Sequence, residues 1–510
     1  MISRINSAVM SGLEATLTEV EVGFSRGIPG ITIVGLPDNA VNESKERIRF
    51  AINNSGFEYP YKLKIVVNLS PADIRKEGSC LDLPIAVGII KNDGKLVSDI
   101  FDTFLFYGEL NLNGELKPVN GVLNLALFAR RNGYRGVIVP YENGNEAAFV
   151  KEIDVYAFKT LNEVIQFIVN PGEIHKVKHL KPNPGKPKND IDFSDIKGQY
   201  LAKRVMEIAA AGFHNVLMVG PPGSGKSMIS KAMPSILPDM TDDETLETSL
   251  IYSAAGMLAN KTSLVERRPF RSPHHTISDV GISGGGRYPV PGEISLAHNG
   301  VLFLDELPYF KKSALEVLRQ PLEDGEITIS RSLISYTYPA KFMLIAAMNP
   351  CEDSVGLKTA DFHSCTDAQK KAYYSKISKP LLDRIDIQIE VKKVNIDEII
   401  SDARTESSEE VKKRVVQARN IQLKRFKGLK QKIFGNGQMG NREIKKFCVL
   451  DEGSERLLKL AVEKLDLSAR SYFKVLKIAR TIADLGGEEH IRQQYIQEAL
   501  QYRTLDLFKV

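Results

Sequence analysis

The chain has 510 residues, 43% of them hydrophobic and 26% charged, which is ordinary soluble composition with room for a sizeable core and about three domains. A net charge of only +5 means that any basicity able to attract nucleic acid has to be local. The N-terminal stretch MISRINSAVMSGLEATLTEVEV has no apolar core of signal-peptide length, and no run of about 18 apolar residues occurs, so neither export nor membrane spanning is supported.

In chain order, residues 1–170 read as an α/β domain. Strand-like ITIVGL (31–36), KLKIVVNL (62–69) and GVIVP (136–140) alternate with helical segments such as AVNESKERIRFAI (40–52). Proline, glycine and lysine then replace apolar periodicity, which predicts a linker over 171–190. Residues 191–393 form a second α/β unit around VLMVG (216–220), VLFLDE (301–306) and FMLIAAMNP (342–350). Residues 394–510 read as helices alone, for example KVLKIARTIADL (474–485). Cys80, Cys351, Cys365 and Cys448 are too few and too scattered for a disulfide framework, which predicts a reducing, cytoplasmic compartment.

The strongest signal follows VLMV. GPPGSGKS, residues 220–227, fits G-x-x-x-x-G-K-[ST] after a strand and at the opening of a helix. Gly220, Pro221, Pro222, Gly223, Ser224 and Gly225 form the loop, and its glycines let backbone N–H groups surround phosphates. Lys226 is expected at the β and γ phosphates and Ser227 at Mg²⁺. Downstream, VLFLDE ends a buried-looking strand in two acids. Asp305 suits the Mg²⁺ shell, and Glu306 suits activation of the attacking water. A strand ending in acids is common, and the phosphate loop upstream gives this one its meaning.

Further segments are DIKGQYLAKRVMEIAAAGFHN before the loop, RSPHHT, AAMNP, KPLLDRIDI and LSARSYFKVLKIARTIADL near the end. With these the sequence resembles the ComM/YifB family, AAA+ ATPases of the magnesium-chelatase-like branch, over almost its whole length. The resemblance implies an α/β architecture: a Lon-protease-like (S5-type) N-terminal domain, an AAA+ P-loop ATPase core and a helical C-terminal lid. It also implies a homo-oligomeric ring, a hexamer, with ATP and Mg²⁺ at each subunit boundary. Carried over by position, Asn349 would orient the attacking water, Arg384 would be the arginine finger entering the neighbouring site, and Arg470 would be the lid arginine that senses the γ phosphate. Local alternatives are an asparagine cap before Pro350, pairing of Arg384 with Asp383 or Asp386, and a solvated arginine at a helix end.

The Lon-type resemblance puts Cys80 at the serine position and Leu123 at the lysine position. Leucine cannot accept a proton, so peptidase activity is disfavoured and a structural or substrate-binding collar is expected. NPCEDSVGLKTADFHSCTD resembles a family element in which cysteine pairs bracket a loop. Here Cys351, Asp353, His363 and Cys365 would make an unusual tetrahedral zinc set, or the segment is an exposed loop.

Three segments are candidates for gripping a DNA backbone without sequence preference. The stretch between the phosphate-loop helix and Asp305 is longer than a minimal core needs, so an insertion is expected to project from it. Within it lies RPFRSPHHTISDVGISGGGRYPVPGEISLAHNG (268–300), with Arg271, His274 and His275 opening into a glycine-rich loop. A metal at the histidine pair lacks further ligands nearby, and the hydrolytic roles are assigned elsewhere. The second candidate is EITISRSLISYTYPAKF (326–342), a hairpin with Arg331 near its tip. The third is VKKRVVQARNIQLKRFKGLKQK (411–432), nine Lys or Arg without an acid, either a solvated helix or a DNA-facing one. ComM-like proteins are associated with branch migration in natural transformation, so the expected activity is ATP hydrolysis coupled to movement of single-stranded or branched DNA. The alternatives are a chaperone-like motor subunit remodelling a protein, as in metal chelatases, and the disfavoured ATP-dependent peptidase.

Overall fold

The computed structural model describes the chain apart from residues 1, 77, 93, 95, 173, 181–190, 259–263, 287–288, 332–333, 352–364, 395–404, 430–432, 466 and 504–510. Half of the expected linker, 181–190, therefore lies outside the described residues.

The N-terminal module opens with β1 (Ile2–Ser11) and β2 (Glu14–Ser25), antiparallel across a turn where Gly12 has φ +67. β3 (Gly30–Val34), α1 (Asn39–Asn54), β4 (Lys64–Ser70) and α2 (Asp82–Asn92) follow. The sheet order is β1-β2-β4-β3. Asp38 starts α1 by accepting from the Val41 N–H at 2.8 Å, the expected N-cap chemistry. β5 (Phe104–Phe106), α3 (Val122–Arg131), β6 (Gly136–Pro140) and β7 (Asp154–Phe158) add a small parallel sheet, and α4 (Leu161–Val169) closes the module.

The central unit comprises α5 (Tyr200–Gly212), β8 (Val216–Val219), α6 (Lys226–Ala232), α7 (Asp242–Ala254), β9 (Phe270–Arg271) and β10 (Val301–Leu304). It continues through the antiparallel hairpin β11 (Glu326–Arg331) and β12 (Ile334–Pro339), then β13 (Met343–Met348) and β14 (Ile387–Glu390). Five strands form one parallel sheet in the order β9-β10-β13-β8-β14. VLMV, VLFL and MLIAAM are apolar throughout because both sheet faces are covered. Successive residues alternate between faces. Val216, Met218, Val301 and Phe303 pack with α5 and the C-terminal helices, whereas Leu217, Val219, Leu302 and Leu304 pack with Leu307, Leu315 and Leu381.

The C-terminal module is helical: α8 (Ser408–Phe426), α9 (Asn441–Phe447), α10 (Glu452–Leu465), α11 (Ala469–Leu485) and α12 (Gln493–Gln501).

The insertion after α6 does not simply project. Its helix α7, begun by a Thr241/Glu244 capping box, places Ile251 and Tyr252 inside the N-terminal hydrophobic core. Polar contacts secure it: the Gly121 N–H donates to the Ser253 carbonyl at 3.0 Å, and the Ser253 hydroxyl donates to buried Glu146. Burying this apolar face against the N-terminal module is worth more than exposing it.

Candidate nucleotide site

The phosphate loop leaves β8 with Gly223 and Gly225 at φ +75 and +88, which glycine adopts without steric cost. At Gly220 a Cβ would lie 2.1 Å from the Val391 carbonyl oxygen, so no side chain fits there. Lys226 Nζ donates to the carbonyls of Gly220 and Pro221 at 2.7 and 2.9 Å, to Ser224 Oγ at 3.2 Å and to Asn349 Oδ1 at 3.1 Å. These oxygens surround the ammonium as phosphate oxygens would.

Ser227 Oγ donates to Asp305 Oδ2 at 2.5 Å. A hydroxyl and a carboxylate brought together in this way fit a shared Mg²⁺, which takes oxygen ligands and keeps several waters. Glu306 follows β10 in the left-handed region at φ 54, uncommon for a residue with a side chain, and its N–H donates to Asp305 Oδ1 at 3.0 Å. Lys226, Ser227, Asp305, Glu306 and Asn349 thus meet at the C-terminal ends of the parallel strands β8, β10 and β13, the crevice where open α/β sheets bind ligands.

Sequence reasoning missed two residues that shape this cluster. Gln199, at φ 53 directly after Gly198 at φ 59, donates from Nε2 to the Ser224 carbonyl at 2.8 Å and to the Lys392 carbonyl at 2.6 Å. The Gly-Gln pair before a helix was the available signal. Tyr373 Oη donates to the Asn349 carbonyl at 2.9 Å, which no local pattern announces.

Arg384 and Arg470 lie elsewhere. Both line a cavity of about 630 Å³ between the central unit and the C-terminal helices, and no residue of 220–227 lines it, nor does Asp305 or Glu306. Arg384 pairs with neither Asp383 nor Asp386. Its Nε donates to the Arg319 carbonyl at 3.0 Å, its Nη1 to the Pro380 carbonyl at 2.8 Å, and its Nη2 to Glu323. Arg470 is 62% exposed, with Asp383 4.0 Å away.

The cationic candidates are largely engaged. Arg271 forms a bidentate pair with Glu293, both bonds 2.6 Å, because the edge strand β9 runs beside β10 and faces the helix that carries Glu293. His275 Nδ1 lies 3.2 Å from Glu306 Oε2, so this histidine touches the very acid from which the sequence reading kept it apart. Its ring stacks on His274 with centroids 4.1 Å apart and lies near Tyr309. His274 is exposed, its Nδ1 2.9 Å from Thr276 Oγ1. Arg331 pairs through its backbone with Ile334 at the hairpin end, and its side chain lies outside what is described. Five of the nine cations in 411–432 pair with acids that lie outside the run. Lys412 pairs with Asp239, Lys413 with Glu409, Arg414 with Glu207 and Glu406, Arg419 with Glu244 and Arg425 with Asp484.

Cys351 and Cys365 are joined as a disulfide with Cα atoms 6.4 Å apart, a pairing that the cysteine scatter gave no reason to expect. Asp353 and His363 lie outside the described residues, and among the described residues no group of three His, Cys, Asp or Glu could hold a metal. Cys80 is buried, and burial pushes its thiol up to about 12; Leu123 is fully buried.

Similarity to known proteins covers almost the whole chain. The family "Magnesium chelatase, subunit ChlI" matches residues 192–399, "Subunit ChlI of Mg-chelatase" matches 20–143, and the ChlI C-terminal family matches 405–503. Competence protein ComM of Haemophilus influenzae is 41% identical over 505 residues, 98% of this chain and 97% of its own. The chain belongs to the ComM/YifB family. YifB of Escherichia coli is 40% identical to this ComM/YifB member over 511 residues, 99% and 97% of the two chains. Lon protease 2 of Bacillus subtilis is 28% identical over 194 residues, 34% of each chain. The ComM/YifB chain is thus a magnesium-chelatase-like AAA+ protein with a parallel-sheet α/β core, and membership of that family implies ATP and Mg²⁺ binding.

Proposed function

We propose that this ComM/YifB chain is an ATP-hydrolysing ring motor, assembled as a hexamer, that moves single-stranded or branched DNA, as a branch-migration helicase does. One observation carries the motor reading. Lys226, Ser227, Asp305, Glu306 and Asn349 converge at one sheet end while Arg384 and Arg470 share a separate cavity, so a hydrolytic site with all these parts needs two copies.

In this reading Lys226 exchanges its loop carbonyls for the β and γ phosphate oxygens. Mg²⁺, held by Ser227 and Asp305, supplies charge neutralisation on those oxygens. Asn349 orients the attacking water, and Glu306 takes its proton. Arg384 leaves Glu323 to serve the neighbouring copy's phosphates, where such a finger is worth roughly 10³ to 10⁵ in rate. Arg470 approaches from the same side.

The DNA reading is supported by a relative named a competence protein at 41% identity over 98% of the chain. Of the candidate contacts, we assign the backbone contact to exposed His274 and to the hairpin that carries Arg331 near its end. Residues 1–170 are read as a Lon-protease-like collar without peptidase activity, 171–190 as a linker, 191–393 as the ATPase core and 394–510 as the lid. A buried thiol kept protonated and a leucine in the lysine position leave no nucleophile and base pair. No helix among the described residues is long and apolar enough to cross a membrane, and a cytoplasmic site of action belongs to the proposal.

The test is steady-state ATP turnover with and without a four-way DNA junction. Stimulation that weakens as salt rises supports the reading. Turnover indifferent to DNA in an assembled ring favours a protein-remodelling motor instead.

A further inference from the structure

The turn that carries Arg384 is held in an unusual way. It lies between the short helix Lys379–Leu382 and β14, and its four consecutive carbonyls, 383 to 386, all accept from side chains. Lys474 Nζ donates to the Asp383 carbonyl and, at 2.9 Å, to the Ile385 carbonyl, bracketing the arginine. Arg503 Nη1 donates to the Ile385 and Asp386 carbonyls at 2.8 and 3.2 Å. Asn215 Nδ2 donates to the Arg384 carbonyl at 3.1 Å, and its Oδ1 accepts from the Leu344 N–H of β13 at 2.8 Å. Two of these three donors belong to the C-terminal module: Lys474 on α11, and Arg503 just beyond α12.

Lys474 is only 12% exposed, and its one close acid is Asp386 at 3.6 Å. Burying an ammonium costs several kcal/mol unless it is paired and hydrogen-bonded, and a well-packed apolar residue often does as well for stability alone. Its two hydrogen bonds are directed at the backbone on either side of one arginine. Burial lowers its pKa to about 8 against the opposing pull of Asp386, so the site tolerates the charge at some expense.

We infer that Lys474 is a positioning residue for Arg384: together with Arg503 it makes the C-terminal helices grip the 383–386 turn, so that these helices set where the guanidinium is presented to the neighbouring copy. The inference rests on the reading of Arg384 as an inter-subunit finger. It gives the C-terminal module a task beyond supplying Arg470, because a shift of α11 carries the finger of the same chain with it. Displacement of a reacting group by about 1 Å can cost on the order of 10²-fold in rate.

The test uses the full-length assembled protein and Lys474→Met, which keeps the apolar stem and removes the donors. The expected result is a loss of kcat on the order of 10²-fold with KM little changed. Lys474→Met combined with Arg384→Ala should be no slower than Arg384→Ala alone, because both act through one guanidinium. Mixing Lys474→Met subunits with Glu306→Gln subunits should restore turnover, since the first retain the acid and the second the finger. If Lys474→Met does not assemble, Arg503→Gln, which loosens the same turn, carries the same three measurements. A double variant slower by the product of the single losses overturns the inference. So does failure of that mixture to recover when Arg384→Ala mixed with Glu306→Gln does recover. If the latter mixture itself shows no recovery in confirmed mixed rings, the inter-subunit finger falls, and the inference with it.

Discussion

Glu306 stands just past the end of β10 in a left-handed conformation at φ 54, and such strain concentrates at functional sites when the surroundings over-determine it. Replacing it with glutamine keeps the shape and removes the base. Glu306→Gln should bind ATP with near-normal affinity while turnover falls by about 10² or more, measured as nucleotide binding beside steady-state hydrolysis. His275 modulates the same carboxylate. Its contact with Glu306 is partly exposed, with 30% and 50% exposure on the two sides, so it is worth about 1 kcal/mol at most. In the proposed mechanism the contact occupies a carboxylate oxygen that would take up the proton. His275→Ala should therefore raise DNA-free turnover by no more than about fivefold and shrink the stimulation by DNA, whereas His274→Ala should leave DNA-free turnover unchanged. Asp305 and Glu306 were readable from sequence because a strand end and a phosphate loop are local patterns. The partner of His275 was not, since β9 and β10 become neighbours only in the sheet.

At the scale of elements, α8 shows how a charge run misleads. From sequence alone, 411–432 is as good a DNA-facing helix as a solvated one, because its own residues contain no acid. In the fold the acids arrive from the central unit, from the segment before α8, from the first turn of α8 and from α11, and Arg425 becomes a bidentate partner of buried Asp484. Arg480 and Asn436 still hold Asp484 when Arg425 is removed, so the loss is that of charge-assisted hydrogen bonds, about 1.5–3 kcal/mol. Arg425→Ala should lower stability by that amount in denaturant melts while leaving the salt dependence of DNA binding unchanged. The helix α7 teaches the complementary lesson. Its capping box and apolar residues mark a helix, and the excess length before Asp305 marks an insertion. That Ile251 and Tyr252 complete the core of the N-terminal module is a long-range fact with no local sign. Three of the five parallel strands, β8, β10 and β13, were legible because each is an uninterrupted apolar run, the pattern that burial on both faces produces, whereas β9 (FR) and β14 (IQIE) carry no such run.

In the whole molecule, α7 ties the N-terminal module to the ATPase core through the hydrophobic cluster and the Glu146–Ser253 contact, and the C-terminal helices share a hydrophobic cluster with one face of the parallel sheet. The nucleotide cluster and the Arg384–Arg470 cavity sit apart on this body, which is the arrangement a ring of copies would use to complete each site at a boundary. In the proposed motor, hydrolysis through Glu306 drives movement of DNA. A labelled four-way junction incubated with the assembled protein, Mg²⁺ and ATP tests it most directly, with Glu306→Gln as the matched control. The unaltered protein should resolve the junction into duplex arms only when ATP is hydrolysed, and Glu306→Gln should bind both ATP and junction yet leave the junction intact. Junction movement by Glu306→Gln at the unaltered rate, or none by an unaltered protein that hydrolyses ATP and binds the junction, would contradict it.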